Sequence, residues 1–131
     1  MYYKLTIFIL SIFLLLGCKT EHKTNDYKLK KKIAGSWKKI LKRKNSIIYV
    51  TTTFYCNGNF NTQAIKKIIN KKYKLYSKGK WYIKNGYLIE KVSSSNYTKR
   101  GSISKDKIVL INKNQFIYQT SKGKAFSYYR K

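Results

Sequence analysis

The sequence is poor in the residues from which most catalytic and metal sites are built. Its 131 residues include four acidic residues, one histidine and two cysteines, and none is proline. The histidine, His22, lies in a polar stretch near the N-terminus, so a Ser-His-Asp or Cys-His arrangement cannot form inside a folded domain. The carboxylates left for acid–base chemistry are Glu90 and Asp106, and Asp106 lies in a Lys-Asp-Lys segment typical of a turn. No cluster has metal-ligand spacing and no phosphate-binding glycine loop is present. We therefore expect no enzymatic activity, no metal and no cofactor.

The first 18 residues have the order of a secretory signal. A short head with one positive charge precedes an apolar run over residues 5–16, which is shorter than the roughly 20 residues that cross a bilayer. The ending Leu15-Leu16-Gly17-Cys18 resembles the lipobox of bacterial lipoproteins, in which the thiol is lipidated and signal peptidase II cuts before the cysteine. The resemblance implies a signal peptide over residues 1–17, a lipid on Cys18 and a membrane-anchored protein of the bacterial cell envelope, facing the periplasm from the outer membrane in a Gram-negative cell. The alternative is an uncleaved anchor helix that ends in a chance cysteine.

The remaining chain, residues 18–131, is long enough for one small domain. Residues 18–32 are predicted to form a lipidated tether and a basic segment, with one short amphipathic helical turn over residues 27–35. Residues 33–131 are predicted to form the domain. Cys56 is an odd thiol in an exported protein, and we expect it to be a small buried hydrophobe, with a reactive or intermolecular role as the alternative.

The charge balance is extreme, because 30 basic residues face four acidic ones and the net charge is +26. A genome rich in A and T would raise lysine, asparagine, isoleucine and tyrosine together, but it would not remove aspartate and glutamate. A strong positive field attracts lipid headgroups, acidic polymers or nucleic acid. Export argues against nucleic acid as the partner, as does the small number of arginines.

Period-two alternation predicts strands through most of the domain. Residues 47–56 form one such pattern, with Ile48, Val50, Thr52 and Phe54 on one face, and Asn57-Gly58 predicts the turn after it. Residues 65–70 fit a helix face, a strand or a covering loop.

Residues 80–92 form the clearest hairpin, with Asn85-Gly86 as a two-residue turn that pairs Ile83 with Leu88 and Trp81 with Glu90. Trp81, Ile83, Leu88 and Val92 then face the interior, while Tyr87 and Ile89 face outward. Glu90 also falls on the interior face, so it needs a partner or its pKa rises. The candidate partners are Arg100 and Arg130.

Further strands are predicted over residues 100–104, 107–112, 115–120 and 124–130. Short strands joined by tight turns predict an all-β antiparallel meander that closes into a small up-and-down barrel or folds as a sandwich.

Gly35-Ser36-Trp37 at the first strand and Arg130 in the last one resemble the lipocalin pattern. The segments 54–60 and 79–83 also resemble small bacterial lipocalin-like domains, although the Thr-Asp-Tyr signature of full lipocalins is absent. The resemblance implies that Trp37 plugs the closed end of a barrel and that Arg130 packs across its ring, as structural residues.

Two non-enzymatic functions fit these patterns. The first is a lipocalin-like domain that binds a small amphiphilic or lipid-like anionic ligand through Trp81, Glu90, Phe54 and Tyr118, with lysines at the rim. The second is a module with a filled barrel whose cationic surface binds a protein or an envelope polymer, for example as an immunity-type protein. Outward-facing tyrosines would serve this second function; they are Tyr49, Tyr55, Tyr82 and Tyr87.

Overall fold

The structure, a computed structural model, describes residues 25–131, so the predicted signal peptide, Cys18 and His22 lie outside the described residues. One helix and eight strands make up the described part of the chain. They are α1 (Asn25–Ile33), β1 (Gly35–Arg43), β2 (Ser46–Phe54), β3 (Asn59–Ile68), β4 (Lys71–Lys84), β5 (Tyr87–Ser95), β6 (Ile103–Ile111), β7 (Gln115–Gln119) and β8 (Ala125–Arg130).

The strands form a closed antiparallel barrel in which each strand pairs with its neighbours in sequence. The barrel closes where β1 meets β8, through the pairs Trp37–Arg130 and Lys38–Tyr129. This closure confirms the predicted all-β, up-and-down, lipocalin-like barrel and excludes the sandwich. An eight-stranded barrel has an interior just wide enough to be filled by side chains or to hold one small ligand.

The predicted Asn-Gly hairpins are confirmed. Asn85 and Gly86 have φ values of 53° and 78°, the left-handed conformation that a two-residue hairpin turn needs. This turn sets the predicted register, with Ile83 opposite Leu88 and Trp81 opposite Glu90.

The structure decides one open alternative and corrects one pair of predicted strands. Residues 65–70 complete β3 and its turn, which decides for the strand among the three alternatives. The two strands predicted at 100–104 and 107–112 are the single strand β6, so Asp106 lies within a strand rather than in a turn. The polar residues of this segment have little intrinsic preference for a strand. Pairing with β5 on one side and β7 on the other holds the segment extended.

The helix α1 lies across one end of the barrel and is longer than the single turn predicted. The Asp26 carboxylate fastens it to the barrel, because it accepts hydrogen bonds from the backbone N–H groups of Asn85 (2.8 Å) and Gly86 (2.9 Å). At its other end, Ile33 is fully buried. We call this end of the barrel the closed end and the opposite end the open end.

The interior divides into two halves. A large aromatic cluster, which includes Trp37, Phe54, Trp81 and Phe116, fills the closed half. A smaller aliphatic cluster of Ile48, Val50 and Ala64 lies towards the open end.

One burial prediction was wrong. Cys56 lies exposed in the turn after β2 and is not a free thiol, so it is not a buried hydrophobe. Ile89 lies on the outer side of β5, as predicted, opposite Tyr82, although it is only 8% exposed.

Candidate functional site

The closed end is sealed by side chains around Trp37, which is fully buried. Its indole N–H donates to the carbonyl of Ile33 (2.6 Å), and its ring meets Phe116 edge-on with centroids 4.8 Å apart. The guanidinium carbon of Arg130 lies 3.7 Å from the ring centroid of Trp37. Arg130 also donates to the carbonyls of Ala34 (3.1 Å) and Lys32 (2.9 Å), which fastens the helix end to the barrel. This is the cation–π contact that the lipocalin resemblance implies.

Trp81 and Phe54, both predicted to touch a ligand, belong to this packed closed end. Trp81 is 2% exposed and Phe54 is 1% exposed. Their ring centroids are 5.1 Å apart, and the Trp81 indole donates to the carbonyl of Tyr55 (2.8 Å). Neither side chain lines the cavity described below, so both support its floor from beneath.

The open half of the barrel contains a cavity of about 580 Å³. This volume lies within the roughly 300–1,000 Å³ typical of small-ligand pockets. Much of its wall is apolar, formed by Leu41, Ile48, Val50, Phe60, Ala64, Leu75, Val92 and Ile103. Hydroxyl groups line the rest of the wall, from Thr62, Ser77, Tyr97, Thr98, Ser102, Ser104 and Tyr128.

Three cations and one carboxylate also line the cavity. Arg43 and Lys66 lie towards its mouth, near the ends of β1 and β3, whereas Lys39 and Glu90 lie deeper, towards the aromatic floor. Every turn around the mouth carries further basic side chains: Lys42, Lys44, Lys67, Lys71, Lys72, Lys99, Arg100, Lys122 and Lys124. The acids of the described chain lie elsewhere, with Asp26 at the closed end and Glu90 and Asp106 in the barrel wall. The mouth is therefore a ring of positive charge without acidic side chains.

Lys39 is held at the floor of the cavity by aromatic rings. Its ammonium donates to the Tyr118 hydroxyl (2.6 Å) and lies 4.5 Å from the ring centroid of Tyr128 and 5.8 Å from that of Phe126. Burial lowers the pKa of Lys39 to about 8, partly offset by the negative charges of Glu90 and Asp106. Tyr118 therefore does not line the cavity itself, and its contribution to the site is to position the Lys39 ammonium.

Glu90 lies on the interior face, as predicted, but neither predicted arginine is its partner. Ser104 donates to its carboxylate (3.3 Å), and Lys39 is the cation that lowers its pKa. Burial outweighs both effects and raises the pKa of Glu90 to about 7. Arg130 is occupied at the closed end, over Trp37. Glu90 thus changes its charge near neutral pH.

Asp106 shares the electrostatic environment of Glu90 without facing the cavity. Burial raises its pKa, and Lys39 partly offsets the rise. Asp106 lies opposite the buried Leu88, on the interior face of β6, but it is not part of the cavity wall.

Of the four predicted ligand contacts, only Glu90 lines the cavity, and the others lie beneath it. Sequence reasoning missed Lys39, Arg43 and Lys66. Alternation from Trp37 along β1 would have found the first two, since it places Lys39, Leu41 and Arg43 on the Trp37 face.

Among residues 25–131 no group of three or more histidine, cysteine, aspartate or glutamate side chains could hold a metal ion. No helix in this part of the chain is both long and apolar enough to cross a bilayer. The sequence matches no model of a known protein family, and it matches no curated protein.

Proposed function

We propose that this protein is a non-catalytic envelope lipoprotein whose barrel binds a small anionic amphiphile. The observation that carries the proposal is the cavity of about 580 Å³, which has an apolar wall beneath a cationic mouth. An apolar chain or ring system would lie against Leu41, Ile48 and Val50, where burial of its surface drives binding. Its anionic group would lie at the mouth, against Arg43 and Lys66.

The charge of the mouth favours an anionic ligand over a neutral one. Arg43 and Lys66 supply fixed positive charge at the cavity wall, and the surrounding turns add a field of the same sign. Such a field raises the local concentration of an anion and its rate of association. A neutral amphiphile would gain the apolar contacts but not this electrostatic contribution.

The membrane anchor in this proposal rests on the lipobox at Leu15-Leu16-Gly17-Cys18. A diacylated cysteine would keep the barrel at the envelope, where amphiphilic anions are abundant. The basic residues of α1, Lys28, Lys31 and Lys32, follow closely after that cysteine and would add attraction to anionic headgroups.

The first test is native mass spectrometry of the protein purified gently from bacterial envelopes. A reproducible adduct of lipid mass is expected, because a filled cavity is protected from exchange during purification. A second measurement uses anilinonaphthalene sulfonate, an anionic amphiphile whose fluorescence rises in apolar surroundings.

Ala64→Phe and Gln63→Phe form a matched pair for this dye titration. The first puts a ring into the cavity, whereas the second puts the same ring on the outer face of the same strand. We expect Ala64→Phe to weaken dye binding by about tenfold or more, equivalent to ~1.4 kcal/mol, and Gln63→Phe to leave it unchanged. Equal binding by both variants, together with a mass free of adducts, would rule out a cavity ligand.

The outer surface supports the second candidate function in part. Tyr49, Tyr55 and Tyr82 are 41%, 47% and 47% exposed, and lysine ammonium groups lie over outer rings, 5.0 Å from Tyr49 and 4.6 Å from Tyr87. Such pairs suit an acidic protein or polymer. The cavity does not fit the filled barrel expected for this function. Dye binding equal in the two phenylalanine variants would favour this candidate.

A further inference from the structure

The turn between β3 and β4 holds an apolar side chain in an unusual position. Ile69 is 90% exposed, and its φ of 49° lies in the left-handed region. β-branched residues avoid that region, and hairpin turns normally place glycine, asparagine or aspartate there. Both its exposure and its backbone are therefore unfavourable for an isolated domain in water.

Lysines flank this isoleucine on both strands. Lys66 and Lys67 precede it, and Lys71 and Lys72 follow it. The turn projects from the open end, beside the ring of basic side chains around the cavity mouth. The only acids among residues 25–131 are Asp26 at the closed end and Glu90 and Asp106 in the barrel wall. The most exposed large hydrophobic side chain of this part of the molecule thus lies among four lysines, with no acidic side chain in its turn.

An apolar side chain surrounded by lysines matches the chemistry of an anionic bilayer surface. The apolar group enters the boundary between headgroups and acyl chains, while the ammonium groups remain at the level of the phosphates. A soluble acidic polymer would pair with the lysines but would leave Ile69 in water.

We propose that the open end of the barrel docks on an anionic lipid surface, with Ile69 inserted and the lysines of the β3–β4 turn on the headgroups. The cavity mouth then opens onto the membrane, so a bound amphiphile exchanges with the bilayer without crossing water. The docking does not depend on the proposed cavity ligand. Only the exchange of an amphiphile with the bilayer rests on the proposed function.

The test follows tip insertion by fluorescence in the full chain, which is anchored in vesicles of phosphatidylcholine and then mixed with added vesicles of defined composition. Ile69→Trp places an indole at the turn, and the native Trp37 and Trp81 are 0% and 2% exposed and give a constant background. Vesicles of phosphatidylcholine with phosphatidylglycerol should shift the emission to the blue and allow quenching by bromine-labelled lipid. Vesicles of phosphatidylcholine alone should do neither. An emission that is the same in both vesicles overturns the proposal.

Two matched controls separate docking from nonspecific attraction. Val109→Trp places an indole at a 57% exposed position on the outer wall, and its emission should not respond to either vesicle. Lys67→Gln, Lys71→Gln and Lys72→Gln, combined with Ile69→Trp, should reduce the shift to that in neutral vesicles. Lys28→Gln, Lys31→Gln and Lys32→Gln remove equal charge from α1 and should leave the shift intact. Loss of the shift only in the α1 variant would place the docking surface at the closed end and overturn the proposal.

The unmodified chain provides an independent measurement. Anionic vesicles should protect the bonds after Lys67, Lys71 and Lys72 from trypsin, whereas neutral vesicles should not. Cleavage at equal rates with both vesicles would contradict the docking even if every variant failed to fold.

Discussion

At the scale of single residues, Trp37 joins three parts of the chain. Its indole N–H holds the last residue of α1, its ring meets Phe116 of β7, and Arg130 of β8 covers its face. Because β1 and β8 share only two residue pairs, these side-chain contacts supply much of the attachment that closes the barrel. The plug is therefore a structural feature of the closed end.

Trp37→Ala should destabilise the protein by about 3–5 kcal/mol, since the side chain is fully buried and a large cavity would remain. Chemical denaturation monitored by circular dichroism measures this loss. Arg130→Met removes the cation and its hydrogen bonds to the carbonyls of Ala34 and Lys32 but keeps an apolar cover, so it should cost about 1–2 kcal/mol. A loss from Trp37→Ala as small as that from Arg130→Met would contradict the plug assignment.

The contrast between Trp37 and Glu90 shows what residue patterns can predict. The Trp37–Arg130 contact follows from a motif that links the two ends of the domain. The environment of Glu90 does not follow from any motif, because Lys39 lies on a strand that is not hydrogen-bonded to β5. Alternation predicts that a side chain points inward, but the side chain it meets across the barrel depends on strand number, tilt and closure.

At the scale of whole elements, the Asn-Gly hairpins could be predicted and the strand β4 could be predicted only in part. Its inward positions Ser77 and Gly79 are small, and its outward positions are mostly lysines, so residues 71–79 lack the apolar alternation of a strand. Small inward residues leave room for a cavity. They also replace the large apolar residues whose alternation would predict the strand. At Gly79 an added Cβ would lie 1.9 Å from the carbonyl oxygen of Lys91, so the barrel wall itself demands glycine there.

The floor of the cavity, which β1, β5 and β6 build together, should make ligand binding depend on pH. Burial raises the pKa of Glu90 to about 7, so its carboxyl group is mostly neutral below pH 7 and repels an anion above it. Burial lowers the pKa of Lys39 to about 8, so its positive charge is lost as the pH rises through 8. Both changes act in the same direction, and affinity for an anionic amphiphile should fall between pH 6 and pH 9.

Dye titrations at several pH values check this prediction. One linked proton limits the loss of affinity to about tenfold per pH unit. Glu90→Gln should remove one of the two transitions and move the remaining fall, which belongs to Lys39, to lower pH, because the negative charge of Glu90 raises the pKa of this lysine. An uncharged amphiphilic dye should show little dependence. A pH profile that Glu90→Gln leaves unchanged would remove Glu90 from the site.

At the scale of the whole molecule, the arrangement of charge is more informative than its amount. A genome rich in A and T would raise the number of lysines, but it would not determine where the few acids lie. Asp26 binds the backbone of a turn, and Glu90 and Asp106 lie in the barrel wall, where burial raises the pKa of each. The turns of the open end and the strand ends beside them carry basic side chains and no acidic ones. This arrangement supports a functional role for the positive field.

The two membrane contacts that we propose lie at opposite ends of the barrel. The chain enters the fold through α1 at the closed end, whereas Ile69 projects from the open end. Strand β3 has 10 residues, which span on the order of 30 Å. Residues 18–24 reach at most about 25 Å when fully extended. An upright barrel anchored at Cys18 therefore presents its mouth to a second surface rather than to its own membrane.

This geometry predicts that the anchored protein brings two membranes together. The full chain, anchored in vesicles of phosphatidylcholine through the proposed lipid on Cys18, should cluster added vesicles that contain phosphatidylglycerol, as measured by light scattering. The clustering should weaken steeply with salt, because the Debye length falls from about 10 Å at 0.1 M to about 3 Å at 1 M. Replacing Lys67, Lys71 and Lys72 together by glutamine should abolish the clustering. The α1 control variant, with Lys28, Lys31 and Lys32 replaced by glutamine, should retain it. Clustering of neutral vesicles, or clustering that is insensitive to salt, would show that contacts other than this cationic end join the membranes.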